Sequence, residues 1–154
     1  MLEIPGYKNI DIKNIVFDYN GTLAKDGKID NEIKNLLKKV CSKYSVFIIT
    51  ADTFGTVKEE LKEFDLNVKV LSSNDHTNEK MEFISCLGKE RVVAIGNGNN
   101  DKSMLENAIL SIAIIGEEGC SKEAFFASDI ICKDIKSAME LVLHPKRLVA
   151  TLRR

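Results

Sequence analysis

Four short polar clusters, each following a run of β-branched residues, carry side chains that could together handle a phosphoryl group. They are Asp18-Tyr19-Asn20-Gly21-Thr22, Thr50-Ala51-Asp52, the stretch that ends in Lys80, and Gly96-Asn97-Gly98-Asn99-Asn100-Asp101. The Asp18 carboxylate could attack phosphorus to form an aspartyl phosphate, and amides of the following turn could bind the phosphoryl oxygens. The Thr50 hydroxyl and the Lys80 ammonium could hold the same oxygens, so the set predicts phosphoryl transfer.

Each cluster by itself also has an ordinary structural interpretation. Asp18 could open a turn after a buried strand, Thr50 could cap a helix, and Lys80 could lie on a solvated helical face. We place Lys80 in the first turn of its helix, where the macrodipole disfavours a cation unless an anion lies nearby. Four such clusters after consecutive strands are unexpected by chance, and this favours one shared site.

The fourth cluster has a glycine pattern that also occurs in dinucleotide-binding turns. Position 101 is Asp where that pattern needs a third glycine, and no acidic partner follows at the required distance, so we reject this interpretation. The carboxylate and amide oxygens of this fourth cluster suit a hard cation instead.

The elements that would position these clusters alternate between strands and helices. Predicted strands cover residues 15–19, 45–50, 68–71, 91–95, 110–115 and 129–132. Apolar residues at helical spacing lie between them, at positions 33, 36, 37 and 40, at 57, 61 and 64, at 81, 84 and 87, and at 135, 138, 139 and 142. The alternation predicts an α/β fold with a doubly wound parallel sheet, which binds ligands at the carboxyl ends of its strands.

Shorter signals complete the outline. Asp26-Gly27 favours a tight turn, so we expect a small β-hairpin flap after the first strand, and Asp30 suits the N-cap of the first helix. Residues 145–154 predict a short basic helix or tail. A chain of 154 residues can bury one sizeable core, so we expect a single domain over residues 1–154.

With these motifs in place, the chain resembles the haloacid dehalogenase superfamily of phosphohydrolases, and within it the catalytic core of P-type ATPases and their soluble relatives. Asp18 with Gly21 and Thr22 looks like the first motif, and Thr50-Ala51-Asp52 is similar to the Thr-Gly-Asp of the ATPases. Lys80 looks like the third motif, and residues 96–101 resemble Gly-Asp-Gly-x-Asn-Asp. The resemblance covers nearly the whole chain and implies a three-layer α/β/α fold.

The resemblance also implies a role for each matching residue. The implied catalytic set is Asp18 as the nucleophile with Asn20, Thr50 and Lys80. The implied phosphate-binding residues are Tyr19, Gly21, Thr22, Ala51 and Asp52. The implied cofactor is Mg²⁺, held by Asp18, the Asn20 backbone carbonyl, Asn97 and Asp101.

Two positions depart from the family pattern. Phosphatases of the superfamily usually carry a second Asp two residues after the nucleophile, and here that residue is Asn20, whose amide cannot do acid-base work. P-type ATPases also lack this carboxylate and still form a phosphoenzyme, so we expect phosphorylation of Asp18 followed by slow hydrolysis. Asn97 stands where the family has a metal-binding Asp, and this should weaken Mg²⁺.

No stretch between the motifs is long enough for the cap domain that closes over small substrates in many relatives. We therefore expect an open site that takes a bulky phosphorylated substrate, or a lid that a neighbouring subunit of a homo-oligomer supplies. The nucleotide-binding, actuator and membrane parts of transporting ATPases are also lacking, which excludes transport by this chain alone.

Composition excludes several other classes of protein. With 22 Lys and Arg against 23 Asp and Glu, no basic field marks nucleic acid as the main partner. The longest apolar runs are too short to span a membrane, and the N-terminus lacks a secretion signal, so we expect a cytoplasmic protein. The four cysteines and two histidines show neither redox nor zinc spacing.

Two alternatives to an enzyme follow from the same residues. Asn20 and Asn97 also fit a weakly catalytic or inactive module in which a phosphate on Asp18, or a bound ligand, signals to a partner. A two-component receiver domain shares an Asp, a Thr and a Lys, but it would need an acidic pair after the first strand and its phosphorylated Asp after the third. The chain has neither feature at those places.

Overall fold

The computed structural model describes residues 1–52 and 55–154. Its strands are β1 Leu2–Glu3, β2 Asn9–Ile10, β3 Asn14–Asp18, β4 Ser45–Thr50, β5 Asn67–Val70, β6 Val92–Gly96, β7 Leu110–Ile114 and β8 Ile130–Cys132. Its α-helices are α1 Asn31–Lys43, α2 Thr56–Glu60, α3 His76–Leu87, α4 Lys102–Asn107, α5 Lys122–Ala127, α6 Ile135–Leu143 and α7 Pro145–Leu152. Short 3₁₀ turns at Lys89–Arg91 and Asn99–Asp101 lead into β6 and α4.

The central sheet holds six parallel strands in the order β5-β4-β3-β6-β7-β8. β3 pairs on one side with β4, Asp18 opposite Ile49, and on the other with β6, Phe17 opposite Ile95. The chain order reverses between β3 and β6, and the crevice outside the carboxyl ends of strands at such a switch point is where open α/β sheets bind ligands. The predicted α/β fold with a doubly wound parallel sheet is confirmed.

Helices cover both faces of this sheet because its strands are apolar on both sides. On one face, Phe17 of β3 shares an apolar cluster with Leu37 of α1 and Leu148 of α7. On the other face, Val16 packs with Ile84 of α3, and α4 and α5 complete this second cluster. Side chains alternate across a strand, so Asp18 projects toward the same face as Val16, the face that α3 covers.

The strand predictions agree with the structure to within one or two residues, and two elements went unpredicted. The antiparallel hairpin of β1 and β2 has only two residues in each strand, too few for a periodic signal. The other is α5, whose six residues are also too short for one. The predicted second helix ends earlier than expected, because α2 stops at Glu60 while Leu61 and Phe64 remain buried in the turns that follow.

The Asp26-Gly27 turn is present in the expected place. Lys25 and Lys28 exchange backbone hydrogen bonds at 2.9 and 3.0 Å, and both residues between them have positive φ. The predicted flap is thus a tight turn with a single antiparallel bridge. Asp30 precedes α1 as predicted, but its side chain makes no capping hydrogen bond. No helix in the part of the chain described is both long and apolar enough to cross a membrane.

Candidate active site

Asp18 is the last residue of β3 and lies at the carboxyl edge of the sheet. Its side chain is 13% exposed, between the ends of β4 and β6. The neighbouring strands therefore deliver their own terminal residues, Thr50 and Gly96, to the same edge.

Lys80 extends from α3 toward Asp18 and is 2% exposed. Its Nζ donates to Asp18 Oδ1 at 2.9 Å, to Asn100 Oδ1 at 2.8 Å and to Asp101 Oδ1 at 2.7 Å. These three bonds use all three protons of the ammonium. Because α3 begins at His76, Lys80 lies in the second turn and the prediction of the first turn was wrong. The anions that stabilise Lys80 are two carboxylates of the chain itself.

Burial and neighbouring charges act together on the pKa values of this cluster. Burial and the negative charge of Asp101 raise the pKa of Asp18 to about 7, although Lys80 and Thr22 act in the opposite direction. Burial tends to lower the pKa of Lys80, but the attraction of Asp101 and Asp18 outweighs it and the pKa lies above its usual value. Lys80 is therefore a cation at neutral pH, where Asp18 titrates.

Asp101 is fully buried and both of its carboxylate oxygens are occupied. Oδ1 accepts from Lys80, and Oδ2 accepts from the amides of Asn97 and Gly98, each at 3.0 Å. The carboxylate approaches the backbone so closely that a Cβ on Gly96 would lie 2.6 Å from Oδ2. In this structure the carboxylate positions Lys80 and the loop after β6, and the role of Asp101 as a metal ligand stays a prediction.

Asn97 connects the loop after β6 to two other parts of the site. Its Nδ2 donates to the Gly119 carbonyl at 3.2 Å, and its Oδ1 lies 3.3 Å from Thr22 Oγ1. The same Thr22 hydroxyl lies 3.4 Å from Asp18 Oδ2, so it stands between the two oxygens. A carboxylate at position 97 would place an oxygen against the Gly119 carbonyl, so the local backbone favours the amide.

Residues 19–24 form the turn that follows Asp18. The Tyr19 carbonyl accepts from the amides of residues 22–24 at 2.9 to 3.3 Å, and the Gly21 amide donates to the Ala24 carbonyl at 2.9 Å. We predicted that the amides of this turn would face the phosphoryl group, but those of Gly21 and Thr22 are used inside the turn. The hydrogen bonds within the turn do not use the amides of Tyr19 and Asn20 as donors.

Two side-chain positions in this turn are fixed by packing. The Tyr19 ring is buried, and its hydroxyl donates to the Gly27 carbonyl at 2.9 Å, so only its backbone can serve a phosphoryl group. Gly21 has φ +80°, and a Cβ there would lie 2.5 Å from Asn97 Nδ2. The exposed Asn20 side chain is free of these constraints.

Thr50 ends β4 beside Asp18 in the sheet and is buried. Its Oγ1 accepts from the Asp52 amide at 3.1 Å, and the exposed Ala51 lies between the two residues. Asp52 Oδ2 accepts from the Val57 amide at 2.9 Å, so this carboxylate holds the start of α2. Among the described residues, no hydrogen bond joins Thr50 to Asp18.

The oxygen atoms near Asp18 fit a hard divalent cation in kind. Asp18 Oδ2 and Asn97 Oδ1 flank the Thr22 hydroxyl, and the Asn20 carbonyl follows in the same turn. Mg²⁺ prefers such oxygen ligands and is often held by one carboxylate together with substrate phosphates. Nowhere in residues 1–52 and 55–154 do three His, Cys, Asp or Glu side chains gather as a metal site. The donors from Asp18, Asn20 and Asn97 therefore fit Mg²⁺ in kind, and the further contribution predicted for Asp101 stays a prediction.

A cleft of about 560 Å³ lies beside the turn after β3. Thr22 lines it and also contacts Asp18, so the cleft and the carboxylate share one wall. Its lining includes the apolar residues Ile33 and Ile135, and an ion pair between Lys25 and Glu117 joins two of its lining residues.

Three residues of the site escaped the sequence interpretation. Asn100 lay in a predicted cluster, but nothing indicated that its side-chain oxygen would accept a hydrogen bond from Lys80. Glu79 accepts from the amides of Ser72 and Ser73 at 2.8 to 3.1 Å and so ties α3 to the loop after β5. Gly119 contributes only a backbone carbonyl. The contact of Gly119 with Asn97 depends on how the loop after β7 packs, and no local sequence pattern carries that information.

Solved structures share this architecture. A cobalt-bound deoxy-D-mannose-octulosonate 8-phosphate phosphatase from Haemophilus influenzae superposes with a TM-score of 0.71 at 11% identity, covering 94% of each chain. A 3-deoxy-D-manno-octulosonate 8-phosphate phosphatase from Moraxella catarrhalis, in complex with magnesium, phosphate and KDO, gives 0.66 at 21% identity over 92% of this chain and 94% of that one. A haloacid dehalogenase-like hydrolase from Streptococcus pneumoniae gives 0.63 at 14% identity, covering 85% and 98%.

The fold is therefore that of the haloacid dehalogenase superfamily. No family model matches the sequence. The uncharacterized protein MJ0073 of Methanocaldococcus jannaschii is 45% identical over 78 residues, which cover 48% of this chain and 84% of that protein. The chain belongs to the same family as MJ0073.

Proposed function

We propose that this chain is a phosphohydrolase that accepts a phosphoryl group on Asp18. The observation that carries the proposal is the position of this carboxylate at the carboxyl edge of β3. The buried Lys80 fixes one of its oxygens, and the other lies 3.4 Å from the Thr22 hydroxyl, which also contacts Asn97. The likeness in fold to two sugar-phosphate phosphatases supports the reaction class.

The chemistry would proceed in two steps. Asp18 Oδ2 attacks phosphorus while the bond from phosphorus to the leaving-group oxygen breaks, giving an aspartyl phosphate. Water then attacks the same phosphorus, phosphate departs and the carboxylate is restored. Lys80 orients Asp18 through both steps and neutralises the charge that a phosphoryl dianion must approach. When bound between Asp18, Asn97 and the Asn20 carbonyl, Mg²⁺ would neutralise charge on the phosphoryl oxygens.

The proposed phosphoryl ligands come from the ends of β3 and β4. They are the amides of Tyr19 and Asn20 and the hydroxyl of Thr50, with the Ala51 backbone beside it. Asp52 would act indirectly, by holding the start of α2 against this edge.

The residue at position 20 decides which substrates suit the site. An amide cannot protonate a leaving group, so we propose substrates whose leaving group departs without a proton, such as acyl and aryl phosphates. Alkyl phosphates should react most slowly, because an alkoxide needs a proton to leave.

The test is phosphate release from acetyl phosphate, p-nitrophenyl phosphate and glycerol phosphate, with and without Mg²⁺. Fresh protein is needed because Asn20-Gly21 and Asn97-Gly98 are pairs that deamidate. We expect turnover by the wild type and none by Asp18→Asn. Asn20→Asp should raise kcat/KM for glycerol phosphate on the order of a hundredfold, and less for acetyl phosphate. Wild-type activity in Asp18→Asn would contradict the proposal.

A matched control separates the effect of a general acid at position 20 from the effect of an added negative charge. Asn99→Asp adds the same negative charge on an exposed residue of the loop after β6. We expect its kinetics to match the wild type, and an equal gain from Asn99→Asp and Asn20→Asp would remove the argument for a general acid at position 20.

A second candidate function is a phosphate-responsive module in which the Asp18 phosphate is long-lived. Asn20 favours it, since the amide also cannot activate water for the second step. A phosphoenzyme that accumulates without turnover would support this candidate, and rapid multiple turnover would exclude it.

Further expectations belong to the same proposal. We propose a cap-less core that acts in the cytoplasm as one domain over residues 1–154, similar to the soluble relatives of P-type ATPases. A neighbouring subunit of a homo-oligomer could supply a lid. Gel filtration at working concentration tests the oligomer.

A further inference from the structure

Two Asn-Gly pairs lie in the loops that follow β3 and β6, at Asn20-Gly21 and Asn97-Gly98. An asparagine before glycine can cyclise, because glycine has no Cβ to hinder the approach of its nitrogen to the neighbouring side chain. The glycine nitrogen loses its proton and attacks Cγ of the asparagine, the bond from Cγ to Nδ2 breaks, and ammonia leaves a succinimide ring. Water then opens this ring at Cγ to give Asp, or at the backbone carbonyl to give isoAsp.

The folded chain holds Asn97 away from this reaction. Its Nδ2 donates to the Gly119 carbonyl at 3.2 Å, and its Oδ1 lies 3.3 Å from the Thr22 hydroxyl. The Asn97 carbonyl accepts from the Ser121 amide at 2.8 Å, so the backbone is fixed as well. The side chain can turn toward the Gly98 nitrogen only after these contacts break.

The attacking nitrogens of the two pairs also differ. The Gly98 amide donates at 3.0 Å to Asp101, a fully buried carboxylate. A negative charge beside this nitrogen disfavours loss of its proton, because the product would be a second anion at the same place. The Gly21 amide donates instead to the neutral Ala24 carbonyl at 2.9 Å. Opening that one bond of the turn frees the nitrogen.

Asn20 carries none of the restraints that hold Asn97. It is exposed, and its side chain makes no hydrogen bond to the part of the chain described. We propose that Asn20 is a modification site that deamidates in the folded protein, whereas the fold protects Asn97. Formation of the Asp product places a carboxyl group two residues after Asp18. The site of modification is independent of the proposed function, and only its effect on activity rests on that function.

Peptide mapping of the full chain tests the proposal. The protein is aged at neutral pH in buffer and, as the reference, unfolded in guanidinium chloride, and chromatography with mass spectrometry resolves the Asn, Asp and isoAsp peptides. We expect both pairs to react at similar rates in the unfolded chain. Folding should slow Asn20 less than about tenfold and Asn97 at least about a hundredfold, since Asn97 reacts only after local unfolding. Equal slowing of the two pairs, or a faster reaction at Asn97, overturns the proposal.

The effect on activity is followed in the same samples. If a carboxyl at position 20 raises kcat/KM for glycerol phosphate on the order of a hundredfold, roughly one molecule in a hundred in the Asp form doubles the measured rate. The control is Asn20→Gln, which keeps the amide but needs a larger, slower-forming ring, so its activity should not rise with age. An equal rise in Asn20→Gln overturns the assignment of the effect to this site.

A further outcome separates the modification from the proposed function. Wild-type protein that accumulates the Asp form without a gain toward glycerol phosphate contradicts the acid proposed for position 20 and leaves the modification site established.

Discussion

At the scale of single residues, two buried carboxylates share one ammonium. Lys80 lies 2.9 Å from Asp18 and 2.7 Å from Asp101, and none of the three side chains is more than 13% exposed. Charges in such surroundings are tolerated only while they stay paired. The sequence predicted which residue types would gather here, but not that Asp101 would give both oxygens to the protein. That outcome depends on how closely the loop after β6 folds back.

Replacing Lys80 should unfold the protein more easily, because both carboxylates would lose their counter-charge. We expect Lys80→Met to lower the free energy of unfolding by about 3–5 kcal/mol in urea denaturation at neutral pH. The control is Lys62→Met, which removes an exposed ion pair with Glu59 and should leave the free energy of unfolding close to that of the wild type. Equal losses for the two variants would show that pairing with Lys80 does not stabilise the buried carboxylates of Asp18 and Asp101.

The raised pKa of Asp18 predicts a dependence of stability on pH. The folded protein holds a proton on Asp18 up to about pH 7, whereas an unfolded Asp loses it near 3.8. Between these values the native state binds more protons than the unfolded state, so this group lowers stability as pH rises. Asp18→Asn mimics the protonated form, so its Tm should exceed that of the wild type by a few degrees at pH 8 and match it at pH 4.

Thermal denaturation over this pH range makes the comparison. The exposed Asp65→Asn serves as the control and should show no such trend. A lower Tm for Asp18→Asn than for the wild type at pH 8 would mean that attraction to Lys80 outweighs burial, and would contradict the prediction.

At the scale of elements, the site is assembled from strand ends and from the turns that leave them. The strands were predictable because their buried β-branched runs are regular, and the parallel order then places every loop of interest at one edge. The contacts between loops were not predictable. The Gly119 carbonyl meets Asn97 across 22 positions of sequence, and the turn after β3 uses its own amides in a way that only its closed shape shows.

The turn after β3 supplies a prediction with an internal control. Gly21 and Gly27 both have positive φ, but a Cβ on Gly21 would collide with Asn97 while a Cβ on Gly27 would meet open space. Gly27→Ala should therefore cost only the backbone strain, about 1–2 kcal/mol. Gly21→Ala should cost more and should also lower phosphate release, since it displaces Asn97 and the Asp18 turn.

Urea denaturation and phosphate release measured on both variants decide this point. If Gly21→Ala and Gly27→Ala lose the same stability and keep the same activity, the contact between Gly21 and Asn97 has no part in the site.

At the scale of the whole molecule, the apolar clusters on the two faces of the sheet contribute differently to stability and to the site. The cluster with α1, α6 and α7 holds most of the buried residues, whereas the cluster with α3 and α4 carries the helix of Lys80. The sequence predicted both faces from helical spacing. The sequence did not predict the N-terminal hairpin. The Arg154 amide donates to the Pro5 carbonyl in this hairpin at 3.0 Å, so the hairpin ties the two ends of the described chain together.

This division predicts that stability can be lost without loss of chemistry. Leu148 of α7 is fully buried on the face away from α3. Leu148→Ala should lower the free energy of unfolding by about 2–5 kcal/mol, as cavities do, while kcat for acetyl phosphate stays close to wild type at a temperature where the variant is folded. Ile84→Ala, on the α3 face, should lower both quantities. A selective loss of kcat in Leu148→Ala would contradict this division.

The most direct measurement is covalent labelling of Asp18. Fresh wild-type protein is mixed with acetyl phosphate and Mg²⁺, quenched in acid within seconds, digested and mapped by mass spectrometry, beside Asp18→Asn. We predict a phosphoryl group on the peptide that contains Asp18 in the wild type and none in the variant. A wild type that releases phosphate with no label on Asp18, or a label that persists in Asp18→Asn, would contradict the aspartyl-phosphate chemistry proposed for this site.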